Sequence, residues 1–121
     1  MTRINVGVHP SELNDLMLRA EHREIKRIPN VIKSGRFSMT GQPTEFKLGT
    51  GHVKFFYDKI LYLKKRYESL YMECTRRGFN MTYFGSCFDD IPDTYMGDYQ
   101  PSPIDRKIIL DRISVRLRGE K

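Results

Sequence analysis

At 121 residues, 39% hydrophobic and 30% charged, the chain suffices for one packed domain, expected to span residues 1–121. Lysine and arginine number 21 against 15 aspartates and glutamates, and the net charge of +6 suits a polyanionic partner without proving one. Two cysteines without CxxC spacing exclude a disulfide framework and a zinc cluster; with no signal peptide or long apolar run, a soluble intracellular protein is expected.

The chain opens Met1-Thr2-Arg3-Ile4-Asn5, and Thr2 is small enough for removal of Met1 to be expected. The α-amine then exposed on Thr2 has a reference pKa of about 7.7–8.0, against about 10.4 for lysine, so part of it is neutral near pH 7. Arg3, Arg23 and Arg27 would depress it further, because like charges disfavour the ammonium form. Ile4, Val6 and Val8 alternate apolar positions that can tie the terminus to the body; a frayed, inert terminus is the alternative.

A first helix is expected from Pro10-Ser11-Glu12, with Ser11 as N-cap and Leu13, Leu16, Met17, Ala20, Ile25 and Ile28 as its buried stripe. Glu21, Arg23, Glu24 and Arg27 fall largely elsewhere, and Pro29 ends or kinks the helix before Ser34-Gly35 closes it. Arg23 and Arg27, four residues apart, put two guanidinium forks on one side, with Glu24 at the same level. Taken alone, that cluster reads either as a solvated helix face or as a carboxylate set among cations for chemistry on a polyanion.

Residues 37–50 have loop composition, and Gly49-Thr50-Gly51-His52 reads as a turn, lacking the spacings of a phosphate loop. From Gly51 to Gly78 the positions Val53, Phe56, Tyr57, Ile60, Leu63, Tyr67, Leu70, Tyr71 and Cys74 recur at three- and four-residue steps, predicting one long helix. Arg76, Arg77 and Gly78 make its stop, and Cys74 reads as a buried thiol. Residues 80–100 form another loop, in which Asp89, Asp90 and Asp93 suit turns and caps; His9, His22 and His52 lack metal-ligand spacing. A third helix follows Pro101-Ser102-Pro103, with Ile104, Ile108, Ile109, Ile113 and Leu117 inward and Arg106, Lys107, Arg112, Arg116 and Arg118 around it. No segment alternates like a strand over a useful length, so the expected fold is all-α: three helices with long connecting loops.

Met1-Thr2-Arg3-Ile4-Asn5, Ser11-Glu12-Leu13, Ala20-Glu21-His22-Arg23-Glu24, the run Gly51-His52-Val53-Lys54-Phe55-Phe56-Tyr57-Asp58-Lys59, Arg76-Arg77-Gly78-Phe79-Asn80 and Gly97-Asp98-Tyr99 occur in that order. Together they resemble the bacteriophage endonuclease V family, the pyrimidine-dimer DNA glycosylases with abasic-site lyase activity, from Met1 to about Leu117. The resemblance implies that the Thr2 α-amine attacks sugar C1′, displaces the base and leaves an imine, after which β-elimination breaks the strand. Glu24 matches the family's catalytic carboxylate. Arg3, Arg23 and Arg27 match arginines that hold phosphates, and Arg112 and Arg116 fall where the family carries basic DNA-contacting residues.

The same resemblance implies a three-helix, all-α fold and no metal or organic cofactor. It implies duplex DNA with damaged pyrimidines as partner, kinked and with one nucleotide extruded. The protein would act as a monomer, away from membranes, inside a bacterial or virus-infected host cell. Met17 stands where the family carries a histidine, and His22 where it has tyrosine or phenylalanine. The family's aromatic Trp-Tyr-Lys-Tyr-Tyr-Gly tail has no counterpart before Lys121, so the lyase machinery is expected to transfer more fully than the photoproduct preference. Two other readings stay open: the same chemistry on an abasic site or modified pyrimidine, and a non-catalytic domain that grips phosphates.

Overall fold

The computed structural model describes residues 2–119, and side chains for residues 2–117. Asn14 starts the first α-helix: its side chain accepts the Met17 N–H at 2.8 Å, satisfying a donor that a helix N-terminus leaves open. α1 runs Asp15–Glu24 and α2 Arg27–Ser34, the latter closed by Gly35 at φ 72°. The start expected at Ser11 is instead a 3₁₀ turn, Pro10–Glu12, in which His9 and Glu12 cap each other. The division between α1 and α2 falls at Ile25–Lys26 rather than at Pro29. Pro29 lies in the first turn of α2, where its missing N–H leaves no helical bond unmade.

The long helix expected from Gly51 to Gly78 is also divided, into α3 (His52–Phe55) and α4 (Ile60–Arg76). Tertiary partners replace the helical bonds at this break. The Gly97 N–H donates to Asp58 O at 3.0 Å, the Tyr62 N–H donates to Gly97 O at 3.3 Å, and Gln42 Nε2 donates to Asp58 Oδ1 at 2.9 Å. A Cβ on residue 97 would stand 2.3 Å from Asp58 O, so only glycine permits this approach. α4 stops where expected: Gly78 has φ 87°, and the N–H groups of Gly78 and Phe79 donate to Thr75 O and Cys74 O, both at 2.9 Å. α5, Pro103–Gly119, is opened by a reciprocal cap between Ser102 and Asp105, with both bonds at 3.1 Å.

α1 packs on α4, and Leu18, Ile25, Leu63, Tyr67, Leu70 and Cys74 belong to the buried core. Ile4, Val6 and Val8 join them, so the apolar alternation near the start does tie that segment to the body. Two helix rotations differ from expectation for one reason. The inward face of α1 is Leu18, Glu21, His22 and Ile25, while Leu16 is 61% exposed. The inward face of α5 includes Asp105 and Ile109, and half-buried Arg112 continues it, while Ile104 and Leu117 are exposed. Both faces mix polar with apolar residues, and a purely apolar stripe therefore misplaces them.

Among the described residues there is no strand, only an isolated bridge between Lys59 and Met96. The all-α class is as expected, with two of its three helical regions broken. No helix among the described residues is long and apolar enough to cross a membrane.

Candidate active site

Residues 2–8 form neither helix nor strand, so their backbone groups must find other partners. Side chains from four helices supply them. The Arg3 N–H donates to Glu24 Oε1 at 3.2 Å, and the Ile4 N–H donates to His52 Nε2 at 3.0 Å. Arg106 Nη1 donates to Gly7 O at 3.0 Å, and Arg66 Nη1 to Val8 O at 2.9 Å. The chain leading to Thr2 is thus pinned at almost every residue.

Beneath it runs a buried polar chain. Asn5 Nδ2 donates to Glu21 Oε1 at 2.7 Å, and Asn5 Oδ1 accepts from Arg112. Arg66 reaches the same carboxylate through two nitrogens, Nη2 donating to Glu21 Oε1 at 2.9 Å and Nε to Oε2. Glu21 is 1% exposed and Arg66 is buried too, so neither charge is compensated by water.

Above this floor is a cleft of about 270 Å³. Arg3, Arg23, Glu24, Arg112 and Arg116 line it, and Leu16, Met17, Ala20 and Ile113 supply its apolar wall. The Glu24 side chain is 15% exposed, with Arg23 Nη2 3.7 Å from its Oε2. Burial, and then the neighbouring Arg3 charge, hold the Arg112 guanidinium below its ordinary pKa. Four arginines against two carboxylates, Glu24 and the floor's Glu21, make a net positive recess that an anion would relieve.

Five of the seven residues singled out from the sequence therefore meet in one cleft. Thr2 directly precedes Arg3, whereas Arg27 begins α2 at an exposed position and does not line the cleft. Met1, whose removal would bare the Thr2 amine, lies outside the described residues, as does the Arg118 side chain.

Asn5, Glu21, His52 and Arg66 were not foreseen as parts of the site. A signal existed for two of them. Glu21 is three residues before Glu24, and Arg66 sits three after Leu63 and four before Leu70, on the apolar face of α4.

A second hollow of about 250 Å³ adjoins the cleft and shares Arg23 with it. Its lining includes Arg19, His22, Lys26, Asn80, Thr82 and Phe84. Lys26 Nζ lies 3.6 Å from the Phe84 ring centroid. Buried His22 stacks on Tyr67, and its Nε2 has no hydrogen-bond partner among the described residues. Burial, then the Lys26 charge, lowers the His22 pKa and favours the neutral ring. Among the described residues no three His, Cys, Asp or Glu gather in a way that would hold a metal ion.

A carboxylate beside the start of the chain, within a cationic recess, fits chemistry on a nucleic-acid backbone. Comparison with known families agrees: the model described as pyrimidine dimer DNA glycosylase matches residues 1–84. The match takes in Thr2, Arg3, Arg23, Glu24 and Arg27 and stops before α5, which brings Arg112 and Arg116 to the same cleft. With more than half its length matched, the chain belongs to the pyrimidine dimer DNA glycosylase family of DNA-repair enzymes.

Proposed function

We propose that the protein is a bifunctional DNA glycosylase and abasic-site lyase that acts on pyrimidine dimers in duplex DNA. The observation that carries this reading is the Arg3 N–H held on Glu24 Oε1 at 3.2 Å. Consecutive Cα atoms are about 3.8 Å apart, so a Thr2 amine bared by loss of Met1 stands one residue from that carboxylate. The surrounding guanidinium groups favour its neutral, nucleophilic form.

The Thr2 nitrogen attacks C1′ of the damaged nucleotide, and the bond from C1′ to the base breaks with its electron pair leaving on the base, which takes up a proton. Opening of the sugar ring gives the imine between Thr2 and C1′. The imine acidifies C2′; loss of a C2′ proton forms a C2′–C3′ double bond and expels the 3′ phosphate. Water then hydrolyses the imine and frees the amine. Glu24 stabilises the cationic sugar and relays protons. Arg3, Arg23, Arg112 and Arg116 hold the flanking phosphates, and Arg27 holds one farther along the strand. No cofactor enters any step.

The second hollow suits a nucleotide extruded from the duplex: Phe84 offers a stacking face, Asn80, Thr82 and His22 offer polar groups, and Arg19, Arg23 and Lys26 offer charge. On this reading the whole chain, residues 1–121, works as one domain and as a monomer wherever the cell holds its DNA.

Borohydride trapping tests the proposal. Protein lacking Met1, mixed with a duplex carrying a dimer or an abasic site, is expected to give a covalent complex through Thr2. No complex with either substrate would sink the imine mechanism. Cleavage of depurinated but not ultraviolet-irradiated plasmid would keep the chemistry and remove the dimer as substrate. Salt-sensitive binding without nicking would leave a non-catalytic DNA-binding domain.

A further inference from the structure

We propose that His52 is a positioning residue for the reaction: by accepting the Ile4 N–H, it sets where the N-terminal amine stands relative to Glu24. The inference rests on the amine mechanism proposed above.

The hydrogen bonds fix the state of the ring. His52 Nδ1 lies 2.8 Å from Lys47 O, and a carbonyl can only accept, so Nδ1 carries the proton. Nε2 is then left with its lone pair, and the Ile4 N–H donates to it at 3.0 Å. The ring is 4% exposed and is held edge-on by Phe46 and Phe56, with centroids 5.5 and 5.4 Å away. Burial is the largest influence on its pKa and lowers it, which agrees with the neutral tautomer that the partners require.

Position follows from having two anchors side by side. The Arg3 N–H is held by Glu24 at the end of α1, and the Ile4 N–H by His52 at the start of α3. One anchor would leave residue 2 free to swivel about it. Two on adjacent amides, drawn from different helices, fix both the place and the direction of the backbone that leads to Thr2. The fully buried Ile4 side chain stops that backbone from sliding along its own axis. His52 lies in the core and is not among the residues that line the cleft, and its hydrogen bond to Ile4 is its direct link to the segment that leads to Thr2.

Two substitutions divide the ring's two bonds. In His52→Asn the amide can reach the Nδ1 position and keep the bond to Lys47, but no acceptor remains for Ile4. In His52→Gln the longer amide reaches the Nε2 position and restores an acceptor. With Met1 removed, both are compared with wild type for single-turnover imine trapping on an abasic duplex and for affinity toward an uncleavable abasic analogue. His52→Asn is expected to form the imine about 100-fold more slowly, the scale of an ångström misplacement of a reacting group. Its affinity and the rate of His52→Gln should both stay within about threefold of wild type.

Leu70→Ala, a core truncation in α4 that leaves both hydrogen-bonding groups of His52 in place, controls for lost stability. Replacing Ile4 by its α-hydroxy analogue removes the donor N–H while leaving His52 intact, and should slow imine formation as His52→Asn does; it serves equally if the Asn variant fails to fold. Equal rates for the Asn and Gln variants, an unslowed ester, or the same slowing in Leu70→Ala would overturn the assignment. Wild-type protein that traps no imine would instead overturn the amine mechanism and, with it, this role for His52.

Discussion

The Arg3 backbone N–H donates to the Glu24 carboxylate at 3.2 Å, so the last residue of α1 holds the segment that leads to Thr2. On the proposed mechanism the same carboxylate also stabilises charge, and substitution can separate that role from holding the segment. Glu24→Gln keeps an oxygen to accept the Arg3 N–H but loses the negative charge. Strand cleavage is expected to fall by about 10²–10⁴-fold while affinity for lesion DNA is kept. Single-turnover nicking beside an equilibrium binding titration checks this, and full activity in the variant would remove Glu24 from the chemistry.

Arg112 and Arg116 enter the cleft from α5, and Arg112 also donates to Asn5, which is tied to Glu21. Taking one cation off a phosphate should make the slope of log affinity against log salt shallower by about 0.9. Arg112→Ala and Arg116→Ala are both expected to show that change. Arg112→Ala should also slow imine formation at saturating protein, since Asn5 Oδ1 loses the donor that helps hold it. Arg27→Ala, outside the cleft, should change the slope without changing the trapping rate. Binding titrations at several salt concentrations decide each case, and an unchanged slope would mean that the residue in question does not hold a phosphate.

The sequence made the class of fold legible because helix stops are local chemistry. Gly35 and Gly78 end helices where their neighbours say they should, since positive φ is a property of the glycine itself. The break before α4 was illegible because its causes, Gly97 and Gln42, lie about forty residues downstream and sixteen upstream of Asp58 and pair with it only in space. The site was legible at Glu24 and the arginines through resemblance. Its support was legible only by spacing: Glu21 and Arg66 look like solvated charges by residue type, and only their mutual pairing lets them occupy inward positions.

That buried pair makes the strongest stability prediction. Arg66→Met leaves the Glu21 carboxylate without its bidentate partner and also orphans Val8 O. Removing one member of a buried ion pair typically costs about 3–5 kcal/mol. Adding Glu21→Gln removes the uncompensated charge while keeping an acceptor for Asn5, and should recover part of the loss. Urea denaturation of the two single variants and the double variant measures the coupling. Additive losses would mean that the two groups do not act as a pair.

Two buried histidines predict the acid side of the stability profile. Burial is the leading cause that lowers the pKa of both His22 and His52, so the unfolded chain binds protons more readily than the folded one. The stabilisation is complete above the unfolded value of about 6.5 and is lost as pH falls through that value toward each folded pKa. Carboxylates act in a separate window. Arg106 holds Glu12, and Arg76 with Arg77 holds Glu73, each at a pKa of about 2, so their contribution falls away only below the ordinary glutamate value of about 4.3. Urea midpoints should therefore decline in two stages, one below about pH 6.5 and one below about pH 4.3. His22→Phe keeps a ring against Tyr67 and removes one titrating group, so it should flatten the first stage and leave the second intact. A first stage unchanged in that variant would mean that His22 is not charged by unfolding, and the neutral ring assigned to it in the second hollow would fall.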